Sequence, residues 1–341
     1  MPEPSSRWQR LFGTQRRAYW VFGLGATVIV TAIAGLLVAS LTPPPGTNAA
    51  APPSSATGTP GPDTTVDGSS PAPTEAGSPT STGGVPATGQ TGCFSQPSAC
   101  GYPDATNTGA RGSLQVINGD VTLETAGQVF ADREVRGCIV VTAPDVVIRN
   151  VRVLGSCTYA IDHYPDGGGT LTIEDTTVVC GNPRGTAIGE WQLVVRRVDV
   201  SGCENGFDLD RDTVIVDSYC HDLTSEHEHP DAHTDCVQGL MTEDVTIEHS
   251  TLIAPRAATS AIEGDCGTCD GITRVRWVVR ANLLTGGQWP LYCTIRSTEN
   301  GSIVESNRFG TGNIGYAEGC TDGVTWRDNV ADATGEALPA T

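Results

Sequence analysis

VVIRNVRV (146–153), LTIEDTTV (171–178), LVVRRVDV (193–200) and TVIVDSYC (213–220) are versions of one short strand. It continues as VTIEHSTL (245–252), WVVRANLL (277–284), SIVESNRF (302–309) and VTWRDNV (324–330). One apolar marker position gives Ile148, Ile173, Val195, Val216, Ile247, Val279, Val304 and Trp326, an interval of 21–32 residues. A second strand recurs between them as CIVV, YAIDH, TAIGE, NGFDL, DCVQG, SAIEG, CTIR and YAEG. Short β-branched strands returning at the interval of one rung, with Gly, Asn and Asp at the corners, describe a solenoid whose inward side chains stack. A Greek-key sandwich would show hairpin turns every ~8–12 residues instead. Helical periodicity is absent, so the sequence predicts an all-β fold, a parallel β-helix.

Further pieces carry a family resemblance. They are GYPDATNTGA (101–110), GCIVV (137–141), DSYCHDL (217–223), HTDCVQ (233–238), SAI (260–262), NRFG (307–310) and TWRDNVADATGE (325–336). In these the chain resembles the right-handed parallel β-helix repeat proteins of the pectin-lyase-like superfamily, a type common among secreted actinobacterial products. The resemblance covers nearly all of residues 93–341 and implies a right-handed coil. It implies little about reaction, because the fold hosts lyases, hydrolases, esterases, epimerases and adhesins.

Outside that domain the chain changes character twice. Residues 1–17 carry Arg7, Arg10, Arg16 and Arg17 against Glu3 alone, and Ala18 to Leu41 then runs without a charge. Those 24 residues reach roughly 36 Å as a helix, enough for a bilayer core of about 30 Å. Arg on the N-terminal side predicts a cytoplasmic N-terminus and an extracellular remainder. The run exceeds the ~7–15 residues of a signal-peptide core, so a retained anchor is preferred to cleavage near Asn48–Ala51. Residues 42–92, rich in Pro, Thr, Ser, Gly and Ala, bury too little apolar surface to fold and read as a disordered linker or stalk.

All 12 cysteines fall between Cys93 and Cys320, which predicts disulfides in an oxidising compartment. Cys266 and Cys269 form a C-x-x-C, but no second such pair stands nearby to complete a zinc site. All 20 basic residues are Arg, so no lysine base or clamp is available. Four Arg and four acids balance before residue 93, so the formal charge of −19 belongs wholly to the domain after it. Such a surface excludes nucleic acid as a partner and repels a polyuronate unless cations bridge the two. Nothing in the sequence calls for an oligomer, and a monomer is expected.

Alternation along the second strand places Ile161, Ile188, Phe207, Val237, Ile262, Thr294 and Ala317 inward. The residues that follow then form an outward column: Asp162, Gly189, Asp208, Gln238, Glu263, Ile295 and Glu318. Neighbouring rungs lie ~4.8 Å apart, which puts Asp208 and Glu263 two rungs, or ~9.6 Å, from each other. The long interval before Ile247 predicts a projecting loop, and His221, His227, His229 and His233 are in its neighbourhood. His227 and His229 read as a solvated polar loop. His233, Asp235 and Gln238 lead into the strand beside the column, and their H-x-D-x-x-Q pattern matches the resembled family.

Two chemistries known on this fold provide templates. In the polygalacturonase-like pattern Asn205 stands where an Asp belongs, no Gly-His-Gly follows, and Lys is missing. In the calcium-dependent pectate lyase pattern, Asp208, Asp210, Glu263 and Asp265 are the candidate Ca²⁺ ligands. Arg296 on the next rung is then the candidate base or substrate contact. The sequence therefore predicts a surface protein that binds polysaccharide or cell-wall glycan along one face and cleaves it as a lyase or glycoside hydrolase. Catalysis is assigned to His233, Asp235, Asp208 and Glu263, with Gln238, His221 and Arg296 binding substrate. The rival is a non-catalytic spacer or adhesin. Converging His233 and Glu263 side chains favour the enzyme, and splayed ones the spacer.

Overall fold

The computed structural model describes residues 91–164, 168–209, 211–224, 233–239, 244–264, 274–293, 299–321 and 323–341. The expected anchor and linker, together with His227, His229, Asp210, Asp265, Arg296, Cys266 and Cys269, lie outside the described residues. Among those described, no helix is long and apolar enough to cross a membrane. The fold is nearly all β. It consists of a 17-stranded sheet, a nine-stranded sheet and a two-stranded pair, all with parallel pairings between successive rungs. This is the strand arrangement of a β-helix solenoid.

Six rungs, from Leu171 to Glu318, hold three strands rather than the two expected, while Val129–Arg136 and Val147–Gly155 run on as single strands. Most of the eight-residue stretches read as one strand are bent in the middle, as in Leu171–Glu174 followed by Thr177–Cys180. The bend is a residue with positive φ that recurs rung after rung: Asn150, Asp175, Arg197, Asp217, His249, Ala281, Ser306 and Asp328. Asp and Asn tolerate this left-handed backbone better than most side chains, which explains their frequency there.

Immediately after the bend, Ser218, Ser250, Asn282, Asn307 and Asn329 are stacked and buried. The backbone N–H of Ser250 donates to Asn282 Oδ1 (2.9 Å), that of Asn282 to Asn307 Oδ1 (2.9 Å) and that of Asn307 to Asn329 Oδ1 (3.0 Å). The amide groups of Asn282, Asn307 and Asn329 donate in turn to the carbonyls of Ile247, Val279 and Val304. The ladder thus supplies partners to backbone groups that the bend removes from the sheet, inside a core where an unpaired polar group is costly.

The apolar core follows the markers, with Ile148, Ile173, Val195, Ile247 and Val279 buried. One marker needs correction. Ile215, not Val216, pairs with Val195 and Ile247 and is fully buried, while Val216 pairs with Arg196 and Glu248 on the other face. A one-residue slip exchanges the faces, as a period of two requires.

Five disulfides are present among the described residues: Cys93–Cys100, Cys138–Cys157, Cys180–Cys203, Cys220–Cys236 and Cys293–Cys320. Residues 91–111 form a strap across the stack. Gly92 N–H donates to Asp332 near the C-terminus, Tyr102 stacks on His249, Gly109 N–H donates to the Arg197 carbonyl, and Arg111 N–H reaches Asn150 Oδ1. One chain segment therefore touches rungs far apart in the stack.

Replacing Asn307 with Ala should remove the middle of the ladder, taking from the Asn282 N–H and the Val279 carbonyl their side-chain partner. A loss of about 2–4 kcal/mol in denaturant unfolding is expected. A shift below about 0.5 kcal/mol would show that the ladder is not stabilising.

Candidate functional site

The nine-stranded sheet carries the candidate residues in register. Asp162 pairs with Gly189, Gly189 with Asp208, Asp208 with Gln238 and Gln238 with Glu263. The expected continuation fails at the next rung. Glu263 pairs with Tyr292 and Ile262 with Leu291, so the rung's strand is Trp289–Tyr292 and not CTIR. Leu291 and Tyr292 thereby take the two places expected for Thr294 and Ile295, which lie outside the described residues. Leu291 fills the inward place with 1% exposure, where Thr294 would have brought a hydroxyl into the core.

Strict alternation also fails within these strands, and this failure assembles the site. The ladder skips Gly206, Cys236 and Ala261, pairing Asn205 with Asp235 and then Phe207 with Val237, and Asp235 with Ser260 and then Val237 with Ile262. Cys236 and Val237 are both fully buried, the former bonded to Cys220. Two consecutive inward residues return the chain to the outer face at three-residue spacing. Asp235 therefore joins Gln238, and Ser260 joins Glu263. Alternation alone would have sent Asp235 inward with Val237.

His233 Nδ1 lies 3.4 Å from Glu263 Oε1. Gln238 Nε2 donates to Glu263 Oε2 at 3.1 Å, and Asn205 Nδ2 donates to Gln238 Oε1 at 3.2 Å. Ser260 Oγ donates to Asp235 Oδ1 at 2.6 Å, while the buried Asp235 Oδ2 meets no donor. Burial, then the charge of Glu263, pushes the Asp235 carboxyl well above the ordinary range. Burial also opposes ionisation of Glu263, but His233, Asp235 and Gln238 outweigh it and hold that carboxyl below its usual value. The two environments thus push the carboxyls apart, Asp235 toward its protonated form and Glu263 toward its ionised form.

Asp208 sits two strands from Glu263 and is nearly buried, and its Oδ2 accepts from Tyr159 at 2.9 Å. The Tyr159 ring lies where a side chain at position 189 would project, only 2.6 Å from an added Cβ, so Gly189 is the residue that admits it. The gap in the acidic column and the hydrogen bond to Asp208 have one cause.

His221 belongs elsewhere. Its Nε2 meets Asp199 at 2.9 Å, its Nδ1 meets Asp222 at 2.7 Å, and its ring stacks on Tyr219. Burial works against the imidazolium, but these two carboxylates raise its pKa overall. Asp199 and Tyr219 belong to strands of the 17-stranded sheet, so none of these three partners is a member of the His233 cluster.

Sequence reasoning missed Tyr159, Ser260 and Tyr292. The three-residue spacing that links Asn205 to Asp208 and Asp235 to Gln238 recurs in Ser260/Glu263 and Trp289/Tyr292, and comparing the strands on that spacing would have found them. No family model matches the chain, and searches of curated proteins and of solved structures return no match.

Replacing Ser260 with Ala leaves Asp235 Oδ1 buried without its hydroxyl donor and should cost roughly 1–3 kcal/mol in unfolding free energy; an unchanged midpoint would remove Ser260 from the site. A second test uses pH. Asp162 is pushed up to about 7, first by burial and then by the neighbouring Glu190. A carboxyl raised in the folded state contributes stability that is full below its unfolded pKa of ~3.9 and lost as pH rises toward 7. Asp162→Asn should therefore raise the melting temperature at pH 8 and leave it nearly unchanged at pH 4. The opposite pattern would contradict the environment described.

Proposed function

We propose that this chain is a surface-anchored, right-handed β-helix protein of the pectin-lyase-like kind that binds polysaccharide along the nine-stranded sheet and cleaves it there. The observation that carries this reading is the convergence of His233 and Glu263 at 3.4 Å, beside the buried Asp235 and in one column with Gln238 and Asp208. A solvated spacer face has no need to hold a carboxylate nearly buried and to furnish it with donors from two side chains.

Glu263, held ionised, is suited to take a proton from an attacking water, with His233 orienting that water and Asp235 fixing the carboxylate from beneath. Asp208 supplies the second carboxyl of such a pair. Two strand spacings make ~9.6 Å, at the upper edge of the ~6.5–9.5 Å between the carboxyls of an inverting glycosidase. That separation favours inversion over retention. Tyr292, next to Glu263 in the column, offers a half-buried ring against which the apolar face of a sugar can lie. The anchor and linker read from residues 1–92 would carry this face outside the membrane.

The test is incubation of the chain with a panel of neutral and acidic polysaccharides, following new reducing ends and the ultraviolet absorbance of unsaturated products. Reducing ends without absorbance are expected. His233→Ala and Glu263→Gln should each lower the rate by at least ~100-fold. No product on any substrate, or unchanged rates in both variants, would overturn the reading.

A further inference from the structure

The cluster of His233, Asp235 and Glu263 has the composition and spacing of a metal centre as well as of an acid–base pair. One ligand atom from each of His233, Asp235 and Glu263 lies within 4.8 Å of the other two. The His233 Nδ1 to Glu263 Oε1 distance of 3.4 Å equals the edge of a tetrahedron with bonds of about 2.1 Å, the Zn–N and Zn–O length. A second observation points the same way. Asp235 is wholly buried, its Oδ2 meets no hydrogen-bond donor, and one of its carboxylate oxygens belongs to the cluster. A buried pair of carboxyls in that position holds either a shared proton or a cation in its place.

We propose that His233 Nδ1, Asp235 Oδ2 and Glu263 Oε1 form a three-ligand site for a first-row divalent metal of the Zn²⁺ type, with a fourth position open to solvent beside the partly exposed His233. One imidazole and two carboxylates suit zinc or its neighbours better than Ca²⁺, which collects about six to eight oxygens. The ligands are themselves oriented. Ser260 donates to the other oxygen of Asp235, Gln238 to the other oxygen of Glu263, and Asn205 to Gln238. Such outer partners are what fix the geometry of metal ligands. The set differs from the Asp208, Asp210, Glu263 and Asp265 grouping expected for calcium, since Asp208 is engaged by Tyr159. The metal site shares residues with the proposed cleavage site but does not rest on the carbohydrate reading.

The experiment is calorimetric titration of ZnCl₂ into the EDTA-stripped full chain at pH 7, with thermal melts of the same samples. One zinc per chain is expected, with a higher melting temperature on loading. His233→Ala should weaken binding at least ~10-fold and abolish the thermal shift. Glu263→Gln, which keeps the side-chain volume, should do the same. A His227→Ala/His229→Ala double variant should retain the site, because the ligands named are others. No saturable zinc binding, or binding unaltered in His233→Ala and Glu263→Gln, or binding lost only in the His227/His229 variant, would each overturn the proposal. Cleavage of polysaccharide by the stripped chain with no zinc binding would overturn the metal site and leave the hydrolase standing. Zinc binding without any cleavage would do the reverse.

Discussion

Parallel register from rung to rung is the constraint on which everything else depends. Ile161, Ile188, Phe207, Val237, Ile262, Leu291 and Ala317 pair in succession through the nine-stranded sheet, and all are buried at 3% exposure or less. Because each rung must present its apolar residue to the same interior, the neighbouring residues have no freedom of position either. Their side chains are delivered at ~4.8 Å intervals along the outer face. A solenoid so built gives a flat, rigid array in which chemistry is placed by choosing residues at fixed steps.

Parallel stacking also creates a difficulty, because the bends leave backbone groups facing the core. The Ser218–Ser250–Asn282–Asn307–Asn329 ladder answers it with side-chain amides and hydroxyls repeating at the same step as the strands. The disulfide Cys220–Cys236 acts at the opposite scale. It ties the 17-stranded sheet to the nine-stranded one within a single rung, and so fixes the base of the segment that carries His233. The ladder position skipped at Cys236 is skipped at Gly206 and Ala261 as well, so the disulfide occupies an inward place that the neighbouring rungs of the sheet repeat.

The solenoid was legible in the sequence because few folds besides a solenoid repeat β-branched residues at the interval of one rung. The column Asp208–Gln238–Glu263 was legible for the same reason. Three things were not. The bend at the positive-φ residues was hidden, because a stretch such as LTIEDTTV reads as one strand although Asp175 divides it. The strand Trp289–Tyr292 was hidden behind CTIR, whose β-branched residues imitate a strand while Pro290 argues against the real one. The three-residue return to the outer face was hidden because it violates the alternation used to read the strands. That return recurs along the nine-stranded sheet, at Tyr159/Asp162, Ser260/Glu263 and Trp289/Tyr292, and the candidate site is built on it.

Whether the face holding His233 and Glu263 receives a ligand decides the central claim. The most direct measurement is a crystal structure of the chain soaked with oligosaccharides of the panel. Sugar density is predicted along the column from Asp208 to Tyr292, with one glycosidic oxygen lying between Asp208 and Glu263. Sugar bound only on the 17-stranded sheet, with the nine-stranded face empty, would contradict it.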